Sequence, residues 1–199
     1  MTQLLLGVLF RPREYLPRLA ASPSAAWAMA LAAIWGMERA LTRGVVALSP
    51  EMSPATYLVK NLAFGAALSI SGVWLTSSTV AWAVRKLGGS VEAPALRTVF
   101  AWSSVPKLFA IVAVAALLLV EGTQVVWVER RDLVRLMPLG PFVVLVQLAT
   151  SVWSASLAVT GVSAVSGLPV KRAIGACLLG GGIVVALIVA AIALRRMMG

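Results

Sequence analysis

The side chains able to do chemistry are few. The chain has no histidine, a single aspartate, Asp132, and a single cysteine, Cys177. Without an imidazole there is no partner base for a serine or cysteine nucleophile, and most zinc sites are excluded. Gly180-Gly181-Gly182 lies in an apolar run and lacks the Lys-Ser/Thr ending of a phosphate loop, so it is expected to loosen or pack a helix. No buried pair of acids is available for proton coupling. Cys177, alone among apolar residues, reads as a small hydrophobe. The expectation is a protein that is not an enzyme and carries neither metal nor cofactor.

What remains is hydroxyls, one amide and cations. Gly65 and Ser69 stand four apart, as do Gly72 and Thr76, with Ser77, Ser78 and Thr79 following. Small residues at that spacing let helix backbones approach, and hydroxyls can bond a backbone carbonyl or a neighbouring helix. A solute path lined by these hydroxyls is the competing reading. Gln147, an amide in a later apolar run, suits an interhelical hydrogen bond. The cations Arg85, Lys86, Arg97, Lys107, Lys171 and Arg172 fall at the ends of apolar segments. They form a candidate collar for anionic lipid headgroups or an acidic cytoplasmic partner, each contributing about 1 kcal/mol near an anionic surface. The same residues could serve only to set orientation.

The elements that must position these groups follow from composition. Of 199 residues, 60% are hydrophobic and 12% charged. That is more apolar surface than one soluble domain of this length could hide, so the expected fold is all-α, a polytopic membrane helical bundle with five transmembrane helices plus short interfacial helices. The net charge of +10 sits at segment ends, where it meets headgroups, and no separate basic domain remains to bind nucleic acid. The expected partners are membrane lipids, other membrane proteins or that acidic partner, with a homo-oligomer also open.

Residues 1–24 place Arg11, Arg13 and Arg18 after a short apolar run, the reverse of a signal peptide, and suit a retained interfacial helix. Residues 25–199 read as a single membrane domain with spans at 25–42, 62–84, 105–121, 142–165 and 173–194. Ser22 or Ser24 can cap the first span with Pro23 in its first turn, and Glu38, Arg39 and Arg43 lie where they can snorkel. Gly88 and Gly89 permit a reversal, and a short helix at or just inside the interface is expected before Pro106. In an unbroken helix Lys107 would lie nearly mid-bilayer at a cost of about 2.5–3.5 kcal/mol. A break at Pro106 instead predicts Lys107 at the start of the third span, within reach of water. The loop from Glu121 to Pro141 is expected to form an interfacial helix or turn. An inside N-terminus puts nine of the 17 cations on the inner face, so charge hardly decides orientation.

Arg11-Pro-Arg-Glu-Tyr-Leu-Pro-Arg-Leu before the first span, Gly88-Gly89 followed by Leu96-Arg97-Thr98-Val99-Phe100 and Pro106, and Trp153-Ser-Ala-Ser-Leu-Ala-Val-Thr-Gly161 followed by Lys171-Arg-Ala-Ile occur in a characteristic order. Together they resemble the Yip-one family of Ypt/Rab-interacting multi-pass membrane proteins, especially its bacterial branch. The resemblance implies five spans, a cytoplasmic N-terminus and a membrane-organising or trafficking-related role; five spans then put the C-terminus outside the inner membrane, and the expected function is a non-enzymatic interaction or membrane-organising protein of the bacterial inner membrane. A small channel or permease is the alternative, from the Ser/Thr-rich spans. The Asp-Leu-Tyr-Gly-Pro motif and the long polar N-terminal region of eukaryotic members are missing, so Rab binding is not carried over.

Overall fold

The computed structural model describes residues 2–43, 53–121 and 139–198, and its regular elements are all helices. They are α1 (Thr2–Phe10), α2 (Pro12–Ala21), α3 (Ala25–Arg43), α4 (Pro54–Lys86), α5 (Ala93–Ser103), α6 (Lys107–Glu121), α7 (Gly140–Ser166) and α8 (Val170–Met198). The fold is an all-α polytopic helical bundle. Among the described residues, Ala55–Lys86, Ala93–Leu117, Gly140–Ser166 and Val170–Met197 are long and apolar enough to cross a membrane. The 19-residue α3 is not among them, since Glu38 and Arg39 lower its mean hydropathy. The loop expected to form an interfacial helix or turn lies mostly outside the described residues, as does the first loop at Ser49 and Pro50.

The N-terminal segment is a pair of helices where one was expected. Arg11 leaves helical geometry (φ −133°, ψ 55°) and Pro12 opens α2, its missing N–H costing nothing in a first turn. Tyr15 folds back over Gly7, where a Cβ would stand 2.5 Å from its ring. Val8, Leu16 and Ala20 are buried, while Leu6 and Phe10 stay exposed beside the arginines, the division an interfacial helix requires. Ser24 precedes α3, its hydroxyl accepting from the Trp27 N–H at 3.4 Å, so Pro23 falls before the cap and not in the first turn.

The chain divides into two compact units, and α3, α4 and α7 each contribute to both. The first comprises Met1–Ala28, Gly72–Trp102 and Leu157–Gly199. Its core joins Ala20 to Val80 and Val84 of α4, Leu96 and Val99 of α5, Val162 of α7, and Leu168, Ala173 and Ala176 around the start of α8. Two turns hold this unit together. After α4, Gly88 takes a left-handed φ of +86°, the Gly89 N–H returns to the Val84 carbonyl at 3.0 Å, and the Gly88 N–H returns to Arg85 at 3.3 Å. This paired closure satisfies carbonyls that a helix end otherwise leaves open. After α7, Gly167 has φ +70° and Ser163 donates to the Leu168 carbonyl at 2.7 Å. The Ser90 N–H donates to the Ser166 carbonyl at 3.4 Å, and a Cβ on Gly89 would meet Leu168 at 2.8 Å, so the two turns touch. Of the glycine triplet, Gly180 packs on the Val80 backbone, whereas Gly181 and Gly182 face open space.

The second unit comprises Met29–Ser71 and Ser103–Ser156. Here α3 and α4 approach backbone to backbone: a Cβ at Gly36 would lie 2.1 Å from the Gly65 carbonyl oxygen, and one at Gly65 would lie 2.5 Å from that of Gly36. Asn61, 1% exposed and one turn before Gly65, donates its amide to the Ala40 carbonyl at 2.8 Å. The sequence pattern thus identifies a real contact at Gly65 and Ser69, but a Cβ at Gly72 meets nothing within 4 Å. Glu38 is buried at 5% exposure, unlike the snorkelling expectation, while exposed Arg39 lies 6.0 Å from the Trp35 ring. Helices α6 and α7 meet through Ala113, Val114, Leu117 and Val143. The expected break is present: Ser104, Val105 and Pro106 form a turn whose carbonyls receive the N–H groups of Lys107, Leu108 and Phe109 at 2.8, 3.0 and 3.1 Å. These three-residue bonds satisfy the backbone where the proline cannot donate.

The Gly36–Gly65 contact leaves no room for a side chain. Gly36→Val is expected to lower stability in detergent by about 1–3 kcal/mol, the usual cost of overpacking. Gly72→Ala should be neutral or raise it by up to about 1 kcal/mol, since alanine is the better helix former. Thermal unfolding of the two variants beside the parent measures both, and equal losses would contradict the packing described.

Candidate functional site

The structure divides the six cations of the expected collar. Arg85 and Lys86 end α4, Lys171 and Arg172 open α8, and all four are exposed. The touching turns at Ser90 and Ser166 bring those two helix ends to one edge of the first unit. Lys86 lies 6.0 Å from the ring of Trp82, itself 42% exposed, an arrangement suited to a headgroup boundary. Arg11, Arg13 and Arg18 of the same unit are also exposed, and Arg18 pairs with Glu14 at 2.9 Å.

Arg97 does not join that exposed set. Its guanidinium lies 4.9 Å from the centroid of Trp74, twelve residues before Lys86 on α4. At the helical rise this is about 18 Å along the axis, more than half of a ~30 Å hydrocarbon core. Arg97 is half-buried, and its Nε is buried with no hydrogen-bond partner among the described residues. The electron-rich ring face offsets part of the desolvation cost, by about 2 kcal/mol in dry surroundings.

Lys107 departs from expectation in depth rather than in backbone. It begins α6 directly after the break, yet its ammonium hydrogen-bonds Ser151, the twelfth of the 27 residues of α7. Phe109 stacks on Trp153 with centroids 6.3 Å apart, fixing the same level. Because α7 is long and apolar enough to cross, a partner near its middle argues for a deeper lysine than the interfacial position of the sequence reading. Pro106, fully buried, makes the break directly before the lysine.

Most described hydroxyls in α4 and α7 are already committed. Ser77 and Ser78 donate to Trp74, Thr79 to Leu75 and Thr76, Thr150 to Val146 and Gln147, Ser151 to Gln147 and Ser156 to Trp153, all carbonyls of the same helix. Ser69 and Ser154 differ, with buried hydroxyls that have no partner among the described residues. Thr76 and Gln147 are half-buried. Sequence reasoning missed Asn61 because the second span was started one residue later. Its place four before Gly65 and eight before Ser69 was the available signal. Trp74 was missed because nothing in α4 marks which helix brings it a cation.

A double-mutant cycle of Lys107→Leu and Ser151→Ala tests the depth of the lysine. Contacting residues couple by about 0.5–3 kcal/mol, and this pair should fall in that range if it lies in hydrocarbon. A coupling near zero in unfolding measurements would return Lys107 to the water-exposed surface.

The Yip1 domain family matches residues 6–193, nearly the whole chain. No curated protein and no solved structure matches it. The match covers the amphipathic pair, the broken α5–α6 stretch and the closing helices α7 and α8. With four stretches fit to cross a membrane among the described residues, the chain is a multi-pass membrane protein that belongs to the Yip1 domain family.

Proposed function

We propose that this protein is a non-enzymatic interaction or membrane-organising protein of the bacterial inner membrane, holding its exposed cations against anionic headgroups or an acidic cytoplasmic partner. The observation that supports the reading is the contact between the turns at Ser90 and Ser166, which gathers Arg85, Lys86, Lys171 and Arg172 at one edge of the first unit. Four such cations near an anionic surface contribute about 1 kcal/mol each, screened beyond ~8 Å at physiological salt. The absence of histidine from the sequence supports a role outside catalysis. Arg85→Gln with Lys171→Gln should sharply reduce salt-sensitive co-purification of anionic lipid or partner while the protein still inserts. Unchanged association in a correctly inserted double mutant would overturn the reading.

The proposed topology has five crossings, α3 included, with the N-terminus cytoplasmic and the C-terminus outside. Alkaline phosphatase fused after Gly199 should be active, and the same enzyme fused after Gly89 inactive. The opposite pattern would reverse the orientation, and two active fusions would change the number of crossings.

A second reading, a small channel or permease, draws on the unpartnered hydroxyls of Ser69 and Ser154. The many hydroxyls bonded within their own helices weigh against it, since their protons are not offered to a solute. Solute flux in reconstituted vesicles, lost on Gln147→Leu with Thr76→Leu, would establish the permease; vesicles without flux support the interaction protein.

A further inference from the structure

Arg97 is a charge whose surroundings are incomplete. Its contact with Trp74 covers one face of the guanidinium at 4.9 Å. A ring face attracts a cation but accepts none of its N–H hydrogen bonds. The Nε–H is out of contact with water and has no acceptor among the described residues. Of the acids described in the same unit, Glu14 is paired to Arg18 and Glu92 is exposed just before α5. A buried donor without an acceptor is rare in native structures and calls for an explanation.

The placement makes a surface role a poor explanation. A lysine or arginine near a helix end ordinarily extends toward water, as Lys86 does beside Trp82. Arg97, in the second turn of α5, instead reaches the level of Trp74, about 18 Å along α4 from the charged end. Both residues are half-buried, so the pair is open on one side. In a helix that crosses a membrane, an accessible side at this level can face lipid.

We infer that Arg97 and Trp74 form an anion site opening to the bilayer, and that its occupant is the phosphate of an anionic phospholipid drawn below the headgroup plane. The guanidinium has a planar fork suited to two phosphate oxygens, and Nε is one of the donors such a fork offers. Trp74 holds the plane of the fork and excludes water from its covered face. A turn of the guanidinium that admits a phosphate oxygen gives Nε the acceptor it lacks, and a diester brings acyl chains that suit a site with an apolar flank. The site lies below the exposed collar and does not depend on the collar binding anything.

The test uses the full chain, purified in detergent and examined by native mass spectrometry with phosphatidylglycerol, with phosphatidylcholine, or with inorganic phosphate alone. The parent should retain phosphatidylglycerol through a high-salt wash, because a desolvated contact is screened much less than an exposed one. Arg97→Gln should weaken that retention about tenfold or more, the factor lost with one charge-assisted hydrogen bond. Arg97→Lys keeps the charge but loses the fork, and should fall most of the way to the glutamine variant. Trp74→Leu should weaken retention while leaving both guanidinium and collar intact. Lys171→Gln with Arg172→Gln should remove only salt-sensitive lipid, so failure of the collar and failure of this site are read separately. If Arg97→Gln does not fold, Arg97→Lys and Trp74→Leu still decide. Salt-resistant lipid unchanged in these variants overturns the proposal. So does displacement of the lipid by inorganic phosphate alone, which would assign the site to a free anion. Co-purification of a membrane protein through Arg97 in place of lipid would likewise overturn it.

Discussion

Hydrocarbon forms no hydrogen bonds, so each polar group that these helices carry inward has to be answered by another part of the chain or by something bound to it. The described residues answer most of them. Asn61 finds the Ala40 carbonyl, Lys107 finds Ser151, and the hydroxyls of α4 and α7 turn to carbonyls of their own helices. The break before α6 follows the same rule, because three short backbone bonds replace the bond that Pro106 cannot make. At Arg97 the answer is partial, and the proposed lipid phosphate would complete it.

A second constraint follows from the same solvent. Lipid tails are as apolar as leucine, so burying leucine between membrane helices gains little, and helices associate through close packing and polar contacts. The crossing of Gly36 on Gly65 and the seat of Gly180 on Val80 are therefore more consequential than their size suggests. Each lets two backbones approach and sums many small dispersion contacts. Beside the first of them the Asn61 amide fixes the register of α3 against α4, much as a buried asparagine fixes register in a coiled coil. The second half of α8 shows the contrast: Val185, Ile188, Val189 and Ile192 are more than half exposed, as residues that face lipid can be.

Much of this was legible in the residues. Long uncharged runs announce helices because 3.6-residue winding satisfies the backbone within one segment, and Gly88 and Gly167 announce reversals because a left-handed φ suits residues without a Cβ. The break at Pro106 was legible for a similarly local reason. Its depth was not, because a sequence marks where a helix breaks and not which neighbour stands opposite. Gly65 and Gly72 make the point in one helix: each begins a four-residue small pair, yet only Gly65 meets another backbone. Arg97 looked like a surface cation for the same reason, since its distance in sequence from Trp74 conceals their contact. The exposed cations at the ends of α4 and α8 fall where apolar runs stop, which is a local property, and these sequence reasoning located.

The depth of Lys107 depends on the level at which α6 begins. Its 15 residues rise only about 22 Å, too short for a ~30 Å core, whereas Ala93–Leu117 taken as one stretch is long enough. Depth-dependent quenching in lipid vesicles can read this directly from labels at Phe109→Cys, Val112→Cys and Leu119→Cys, one at a time on a Cys177→Ala background; all three positions are exposed. If Lys107 enters beside the middle of α7, the label is deepest at Phe109 and becomes steadily shallower toward Leu119. A shallow label at Phe109, with depth increasing through Val112 to Leu119, would mean that α6 starts at the surface, and would contradict the placement of Lys107 at hydrocarbon depth.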